Sequence, residues 1–296
     1  MPARPLLDIA SILICAVAWG TTWFAITLQF GVVDPIVSIV YRFGLAAGLL
    51  FIWCLARKEP LALTRPQHWA AFGVGAFTFA LDYSLVYSAE ERVASGIVAV
   101  LFASLAFFNL IAFRFAFGEH GAATTWFAAL LGVLGVGVLS WGEIVHANMD
   151  ARALAGFLMA LAAVIVAALG NVFARRGELA GAPVAALSGW AMFYGAALLA
   201  AFAIVTGRVW AFELSWRYAL SLGYLTIIGS FLAFLLYYGL ARRRGYGLAS
   251  YISALTPPIA MIMSGLFEAK TWGAAAFVGI ALVMAGQALL LRTRRA

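Results

Sequence analysis

The hydrophobic positions of this chain fall into ten long runs, separated by short stretches rich in charged residues, proline and glycine. Each run is close to the ~20 residues that a helix needs to cross ~30 Å of hydrocarbon. The runs lack the apolar and polar alternation of a membrane β-strand, so the pattern predicts an all-α integral membrane protein. The ten predicted transmembrane helices are 9–30, 35–56, 68–89, 93–116, 124–141, 152–173, 183–205, 216–240, 246–267 and 273–291.

The composition agrees with this pattern. Hydrophobic residues make up 65% of the 296 positions and charged residues only 10%, which is more apolar surface than a soluble domain can bury. The first run is longer than the core of a signal peptide, Arg4 is the only basic residue before it, and no small-residue cleavage site follows it. We therefore expect this run to stay in the protein as a membrane helix.

The basic residues predict the orientation of the helices. With a cytoplasmic N-terminus, thirteen of the 19 lysines and arginines lie in cytoplasmic loops and ends, as the positive-inside rule expects. This predicts an inner-membrane protein with both termini in the cytoplasm. Although the net charge is +7, the basic residues flank separate spans and form no continuous stripe, so no nucleic-acid partner is expected. The expected partners are the lipid bilayer and a small molecule, and either a monomer or a homodimer is expected.

A shift of about 150 residues aligns landmarks of the second half with those of the first. This predicts two duplicated five-helix repeats, 1–145 and 146–296. Because five is odd, the second repeat enters the membrane from the opposite side. Inverted repeats of this kind are typical of alternating-access transporters with a substrate site near the midplane. The aligned pairs are Gly20 with Gly170, Pro35 with Pro183, Tyr87 with Tyr238, Gly96 with Gly247, Glu119 with Glu268, and Gly132 with Gly279.

Several motifs occur in the order found in one known family. They are Trp19-Gly20-Thr21-Thr22-Trp23, Tyr41-Arg42-Phe43, Gly118-Glu119 with Gly132, Gly135 and Gly137, Thr256-Pro257-Pro258, and Glu268 with Gly279 and Gly286. In these motifs the chain resembles the EamA branch of the drug/metabolite transporter superfamily over essentially its whole length. The resemblance implies ten helices in two five-helix repeats. Within the family the chain looks most similar to the YddG-type exporters of aromatic amino acids.

The two halves differ at one point of the family pattern. The stretch of the first half that matches Thr256-Pro257-Pro258 reads Phe107-Phe108-Asn109 and contains no proline. Proline removes a backbone donor inside a helix, so Pro257 and Pro258 are predicted hinges of the ninth predicted helix, 246–267, which we call span 9 by its order in the chain. Gly96 and Gly247 are predicted hinges near the starts of spans 4 and 9. A static kink packed by neighbouring helices is the alternative for the two prolines.

Two ionisable residues lie well inside the spans. Such groups are costly in hydrocarbon and usually face the bundle interior, a cavity or each other. Arg42 is therefore predicted to act in structure or gating. Asp82 is a candidate for recognition of a substrate amine or for proton coupling, and a pair between Arg42 and Asp82 is attractive. Glu90, Glu91 and Arg92 are interpreted instead as a solvated turn at the outer end of span 3.

Aromatic and amide side chains supply the remaining candidates for a substrate site. Trp19 and Trp23 share one helical face by their i,i+4 spacing, as do Tyr83 and Tyr87. Together they predict an aromatic cavity with few charges, suited to flat or apolar metabolites. Packing between helices and the interfacial tyrosine belt are the alternatives. The other predicted lining residues are Ser104, Phe108, Asn109, Asn171, Trp190, Tyr238 and Ser253.

These features predict an exporter of small metabolites, with aromatic amino acids as the substrates. A multidrug or quaternary-cation exporter of the same superfamily is the alternative within transport, because aromatic faces and Asp82 also suit a cation. An integral membrane enzyme acting on lipids is the alternative outside it. The sequence has no clustered catalytic group, no Walker A motif and no residues at the spacing of metal ligands. We therefore expect no enzymatic activity, no cofactor and no bound metal.

Overall fold

The computed structural model describes residues 5–146 and 150–292, and within these ranges the chain is helical with no strand. We number the helices in chain order. They are α1 (Pro5–Thr27), α2 (Pro35–Ala56), α3 (Arg65–Glu90), α4 (Ser95–Phe102), α5 (Leu105–Phe117), α6 (Ala123–His146), α7 (Ala151–Leu179), α8 (Val184–Val205), α9 (Trp216–Arg244), α10 (Tyr246–Phe267) and α11 (Ala274–Arg292).

The helices are those of a multi-pass membrane protein. In the described residues, six of them are long and apolar enough to cross a membrane, and the bent pair α4 and α5 makes a seventh if it is one span. Three further predicted spans fall on α6, α10 and α11, whose described apolar stretches are shorter. Large apolar side chains such as Ile9, Leu13 and Val17 form an exposed stripe on α1, as expected for a helix in contact with lipid.

The fourth predicted span is broken where the sequence pattern indicated one continuous helix. α4 and α5 meet at a bend of 40°. At the bend the Ser104 hydroxyl donates to the carbonyl of Leu101 over 2.6 Å, and the backbone N–H of Ala103 bonds to the carbonyl three residues earlier. These tighter bonds compete with the regular helical ladder and end it. The serine, and not a proline, therefore sets the break in the first half.

Two helices contain a turn of wider, π-helical backbone. One such segment, Gly75–Asp82, lies inside α3, and the other, Leu225–Leu232, lies inside α9. The two segments begin 150 residues apart along the chain. A π-helical turn rotates the residues that follow it relative to a regular α-helix and is frequent at functional sites. In α3 the π-helical segment ends at Asp82, so this carboxylate lies on the irregular turn.

Polar residues at the helix starts fix where several helices begin. The Asp34 carboxylate accepts a hydrogen bond from the backbone N–H of Ile36 over 2.8 Å, and Pro35 occupies the first turn of α2. Thr64 and Gln67 form a reciprocal capping box at the start of α3. These contacts satisfy backbone donors that have no partner inside the helix.

Close approach between helices depends on small residues. α6 packs along α11, α2 along α8, α1 against α10, and α7 against α3 and α5. In the first of these pairs a methyl group added at Gly135 would lie 2.5 Å from the carbonyl oxygen of Gly279, and one added at Gly279 would lie 2.5 Å from that of Gly135. The two backbones therefore touch directly, which is the usual role of small residues at helix contacts in membranes.

This contact gives a test with a matched control. Gly279→Ala should lower the free energy of unfolding by about 1–3 kcal/mol, because the added methyl group meets backbone that cannot move aside. Gly132→Ala should be neutral or slightly stabilising, because no atom lies within 4 Å of its added methyl group and alanine favours the helix. Thermal unfolding in detergent compares the two variants. Equal effects of both would contradict the assigned contact.

Candidate substrate cavity

A cavity of about 110 Å³ lies between α1, α3, α4, α5, α7, α9 and α10. Seven of the side chains predicted from the sequence line it: Trp19, Trp23, Asp82, Tyr83, Asn171, Tyr238 and Ser253. They come from both halves of the chain, so the site exists only when the two halves pack together.

Seven of the residues that line the cavity are aromatic. The Trp19 indole N–H donates to the carbonyl of Gly229 over 3.1 Å, and the indole ring lies 5.1 Å from the rings of Phe234 and Tyr237. This hydrogen bond and ring packing hold Trp19 in one orientation. Trp23 differs, because its indole N–H is buried without a hydrogen-bond partner among the described residues. Its ring lies 4.9 Å from that of Phe102. Trp23 therefore offers the cavity a flat face and a free donor.

Asp82 is the acidic residue of the cavity wall. It is 4% exposed, and its Oδ1 atom lacks a hydrogen-bond partner within the described part of the chain. A buried carboxylate without a partner is costly, so a cationic or hydrogen-bonding group of a bound molecule would be stabilised here. Both Asp82 and Arg42 are described, and no ion pair within 4.0 Å joins them. The attractive pair suggested by the sequence is therefore absent.

Arg42 instead connects three helices behind the cavity. It is fully buried on α2. Its Nε donates to the Ser230 hydroxyl on α9 over 2.9 Å, and its Nη1 donates to the Tyr87 hydroxyl on α3 over 3.5 Å. The guanidinium carbon lies 4.7 Å from the centre of the Tyr83 ring. Tyr87 in turn donates to the Gln29 side chain over 2.8 Å. Arg42 thus cross-links the two halves, with Tyr83 between it and the cavity.

The structure places other predicted lining residues away from the cavity surface. Tyr87 belongs to the Arg42 network described above. Trp190 donates from its indole N–H to the carbonyl of Leu61 over 2.9 Å and packs 5.0 Å from the His68 ring, outside the cavity. Ser104 lies at the bend between α4 and α5.

Asn109 on α5 and Asn171 on α7 form a pair of amide side chains, of which Asn171 lines the cavity. The Asn171 side chain lines the cavity and donates to the Asn109 side-chain oxygen over 3.1 Å. Asn109 therefore orients Asn171 from behind. Phe108, its neighbour on α5, is half-buried and packs 5.6 Å from the ring of Phe107.

The predicted hinge residues lie on α4 and α10. A methyl group added at Gly96 would meet the Trp272 ring at 2.7 Å, so α4 is packed tightly at its start. Pro257 and Pro258 lie inside α10, which is helical throughout Tyr246–Phe267. Gly247 falls in the same helix but outside the residues whose side chains the structure describes.

Two kinds of residue were missed by the sequence analysis. Phe102, Phe234 and Tyr237 line the cavity, but nothing distinguished them from the many other aromatic residues of the spans. Glu90 was interpreted as part of a solvated turn. It is 6% exposed, whereas the neighbouring Glu91 lies on the surface. The adjacent charges suggested a surface turn, and only the packing of α3 separates the two glutamates.

Comparison with known proteins places this architecture in a family. A model of the EamA-like transporter family matches residues 6–141 and again 154–292. An uncharacterized inner membrane transporter of Escherichia coli, YedA, is 28% identical over 249 residues, covering 83% of this chain and 78% of that protein. An uncharacterized transporter of Synechocystis, sll0355, is 25% identical over 287 residues, covering 90% and 84%. Protein PecM of Dickeya dadantii is 24% identical over 267 residues, covering 90% and 86%.

A solved crystal structure shares the fold. It superposes with a TM-score of 0.74 at 20% identity and covers 99% of both chains. At this identity the likeness concerns the fold alone. The relatives that carry a functional description are transporters, and the family model covers most of the chain in two matches. The protein is therefore a multi-pass membrane transporter and belongs to the EamA-like transporter family.

Proposed function

We propose that the protein exports aromatic amino acids across the inner membrane by alternating access between two inverted five-helix halves, 1–145 and 146–296. The observation that carries the substrate proposal is the cavity itself. It combines aromatic walls from both halves with a single unpartnered carboxylate, Asp82. Such a site suits a molecule with a flat ring and an amine.

The inverted arrangement is supported by how the helices repeat. The family model matches each half once, and the π-helical segments of α3 and α9 begin 150 residues apart. The contacts repeat as well, because α1 packs against α10 as α7 packs against α4 and α5. In this proposal α4 and α5 form one span and α6, α10 and α11 also cross, which gives ten spans. The bias of the basic residues then puts both termini in the cytoplasm.

The cavity offers a binding partner for each part of an aromatic amino acid. The ring of the substrate packs between Trp19 and Trp23, the amine bonds to Asp82, and the free indole N–H of Trp23 donates to the carboxylate. Asn171, held by Asn109, supplies a further polar contact. Each interaction is of the kind that orients small ligands in largely apolar pockets.

Counterflow in proteoliposomes tests the substrate proposal. Vesicles loaded with unlabelled tryptophan should take up labelled tryptophan without any imposed gradient, because a carrier exchanges its substrate across the membrane. Trp23→Ala should slow this uptake by up to about tenfold, since one stacked ring contributes roughly 0.5–1.5 kcal/mol beyond its buried area. Trp190→Ala is the matched control, because Trp190 lies outside the cavity, and it should exchange at the unmodified rate.

The outcome also separates the alternatives. If the protein exchanges a quaternary cation but neither tryptophan nor phenylalanine, the substrate is a cationic drug and not an aromatic amino acid. Equal effects of the two tryptophan variants would remove the cavity from the transport pathway.

A further inference from the structure

The carboxyl group of Glu90 is buried at the end of α3 and has no use in the substrate site. Glu90 is 6% exposed, and neither of its two carboxyl oxygens has a hydrogen-bond partner in the part of the chain that the structure describes. The residue also does not line the substrate cavity. A buried acidic group with both oxygens unpaired therefore has to be explained separately from substrate binding.

Other unpaired polar atoms lie in the same region. We call the region where α3 ends and α4 begins, together with Glu268, the Glu90 end. Arg42 Nη2 and Gln29 Nε2 are buried without partners among the described residues, and both side chains bond to Tyr87, one turn before Glu90. Ser264 Oγ is likewise unpaired and packs near the start of α4. The Glu90 end is thus closed to solvent, although several of its buried polar atoms lack hydrogen-bond partners among the described residues.

The charged groups around Glu90 do not neutralise it. The charged groups that act on Glu90 are Arg42 on α2 and Glu268 after α10. Glu268 carries the same charge as Glu90, and Arg42 forms no ion pair with Glu90 within 4.0 Å. Glu268 accepts hydrogen bonds from the backbone N–H and the hydroxyl of Ser95, the latter over 2.8 Å. A second negative charge therefore lies beside Glu90 when both are ionised.

The surface charges beyond Glu90 are engaged with each other. Arg92 lies 3.7 Å from the Glu91 carboxylate, and Arg152 on α7 donates to the backbone carbonyl of Glu91 over 2.8 Å. On α3 itself, Tyr87 is the titratable neighbour and is occupied by Gln29 and Arg42. Among the residues that the structure describes, no cation forms a hydrogen bond or an ion pair with the Glu90 carboxyl group.

We propose that Glu90 is a proton-binding site that takes up one proton when the Glu90 end closes and releases it when that end opens. A neutral acid tolerates burial without donors far better than an ionised carboxylate does. In the closed arrangement the proton also removes repulsion from Glu268. Loss of the proton leaves a buried charge that is stabilised by water, and therefore by opening between the start of α4 and Glu268. Under the proposed function, on which this inference rests, the Glu90 end faces the outside.

The sign of the pH effect follows from this linkage. The closed form binds one more proton than the open form, so raising the pH favours the open form. For one proton the ratio of open to closed molecules rises by up to tenfold per pH unit, in the range where Glu90 is protonated in the closed form and ionised in the open form. Lowering the external pH should therefore hold the Glu90 end closed.

Cysteine labelling measures this opening without any substrate. Ser264→Cys places a thiol at a fully buried position of the Glu90 end, in a background where Cys15 and Cys54 are replaced by alanine. A water-soluble maleimide is applied to the reconstituted protein at a series of pH values. The same experiment with Glu90→Gln added gives a reference at each pH. We divide the labelling rate of the protein that retains Glu90 by that of the Glu90→Gln variant, which cancels the pH dependence of the thiol itself.

We expect this ratio to rise with pH by up to tenfold per unit, because glutamine mimics the protonated acid at every pH and keeps the end closed. Glu91→Gln is the matched control and should behave like the protein with both glutamates, since Glu91 lies on the surface. A ratio that does not change with pH would overturn the proposal. An identical response of the Glu90→Gln and Glu91→Gln variants would do so as well.

Infrared spectroscopy provides a second measurement that does not depend on the folding of the Glu90→Gln variant. The protein carrying only Asp82→Asn should retain, at neutral pH, the carbonyl band of a protonated carboxylic acid. Absence of that band would also overturn the proposal. Both measurements are independent of transport. If tryptophan counterflow fails but the labelling ratio depends on pH, the substrate assignment is wrong and the proposed proton site is still supported.

Discussion

Replacement of Arg42 by lysine should abolish counterflow and lower the free energy of unfolding by about 3 kcal/mol. The guanidinium bonds to Ser230 and Tyr87 through different nitrogens while stacking on Tyr83. A lysine ammonium keeps the charge but cannot reproduce this fixed planar geometry. It therefore leaves at least one buried group unpaired, and hydrogen bonds to charged groups contribute roughly 1.5–3 kcal/mol each. Because these bonds join α2, α3 and α9, we expect the cavity wall to lose its shape.

Arg208→Lys is the control for this substitution. Arg208 forms an ion pair of 3.0 Å with Asp34, but its side chain is 43% exposed. Exposed pairs of this kind contribute roughly 0–1 kcal/mol, so exchange and thermal unfolding should stay close to those of the unmodified protein. Unfolding in detergent and tryptophan counterflow are measured on both variants. Normal transport by the Arg42→Lys variant would show that the network does not shape the pathway.

Replacement of Asp82 by asparagine should weaken binding of an aromatic amino acid by about 10- to 150-fold. The carboxylate lines the cavity with one oxygen unpartnered, and an ionised acceptor for the substrate amine contributes roughly 1.5–3 kcal/mol. Asparagine keeps the shape of the side chain but removes the charge. The measurement is the concentration of unlabelled tryptophan that halves tracer uptake.

The substrate provides the control in this case. An analogue that keeps the indole ring and the carboxylate but lacks the amine has no group to bond to Asp82. It should inhibit tracer uptake equally well in the unmodified protein and in the Asp82→Asn variant. A similar loss of affinity for both compounds would indicate that the substitution distorts the cavity as a whole. Unchanged affinity for tryptophan would remove Asp82 from amine recognition and return it to the role of a proton-coupling candidate.

The helices of this protein could be located from the sequence because lipid offers no partner for the backbone. Every apolar run of sufficient length has to satisfy its own N–H and carbonyl groups, which makes a helix the expected structure. The predicted starts of α2 and α8, at positions 35 and 183, lie within one residue of the observed Pro35 and Val184. The break at Ser104 was not predicted, since a single serine carries no signal in the hydrophobic pattern that distinguishes it from other serines in the spans.

The orientation of individual side chains was much harder to predict. In a soluble protein, polar residues mark the outer face of a helix, whereas here both the lipid and the protein interior are apolar. The sequence therefore could not separate Trp19, which lines the cavity, from Trp190, which packs beside His68. Nor could it show that Glu90 is buried while Glu91 is exposed.

By itself, then, the sequence determined that this is a helical membrane protein with family motifs in both halves, because hydrophobic length and motif order are local properties of the chain. Only the tertiary structure decided which side chains meet in the cavity, that Arg42 bonds to Ser230 and not to Asp82, and that Glu90 is enclosed. Those outcomes depend on how helices distant in the chain rotate and pack against each other, which an apolar pattern leaves undetermined.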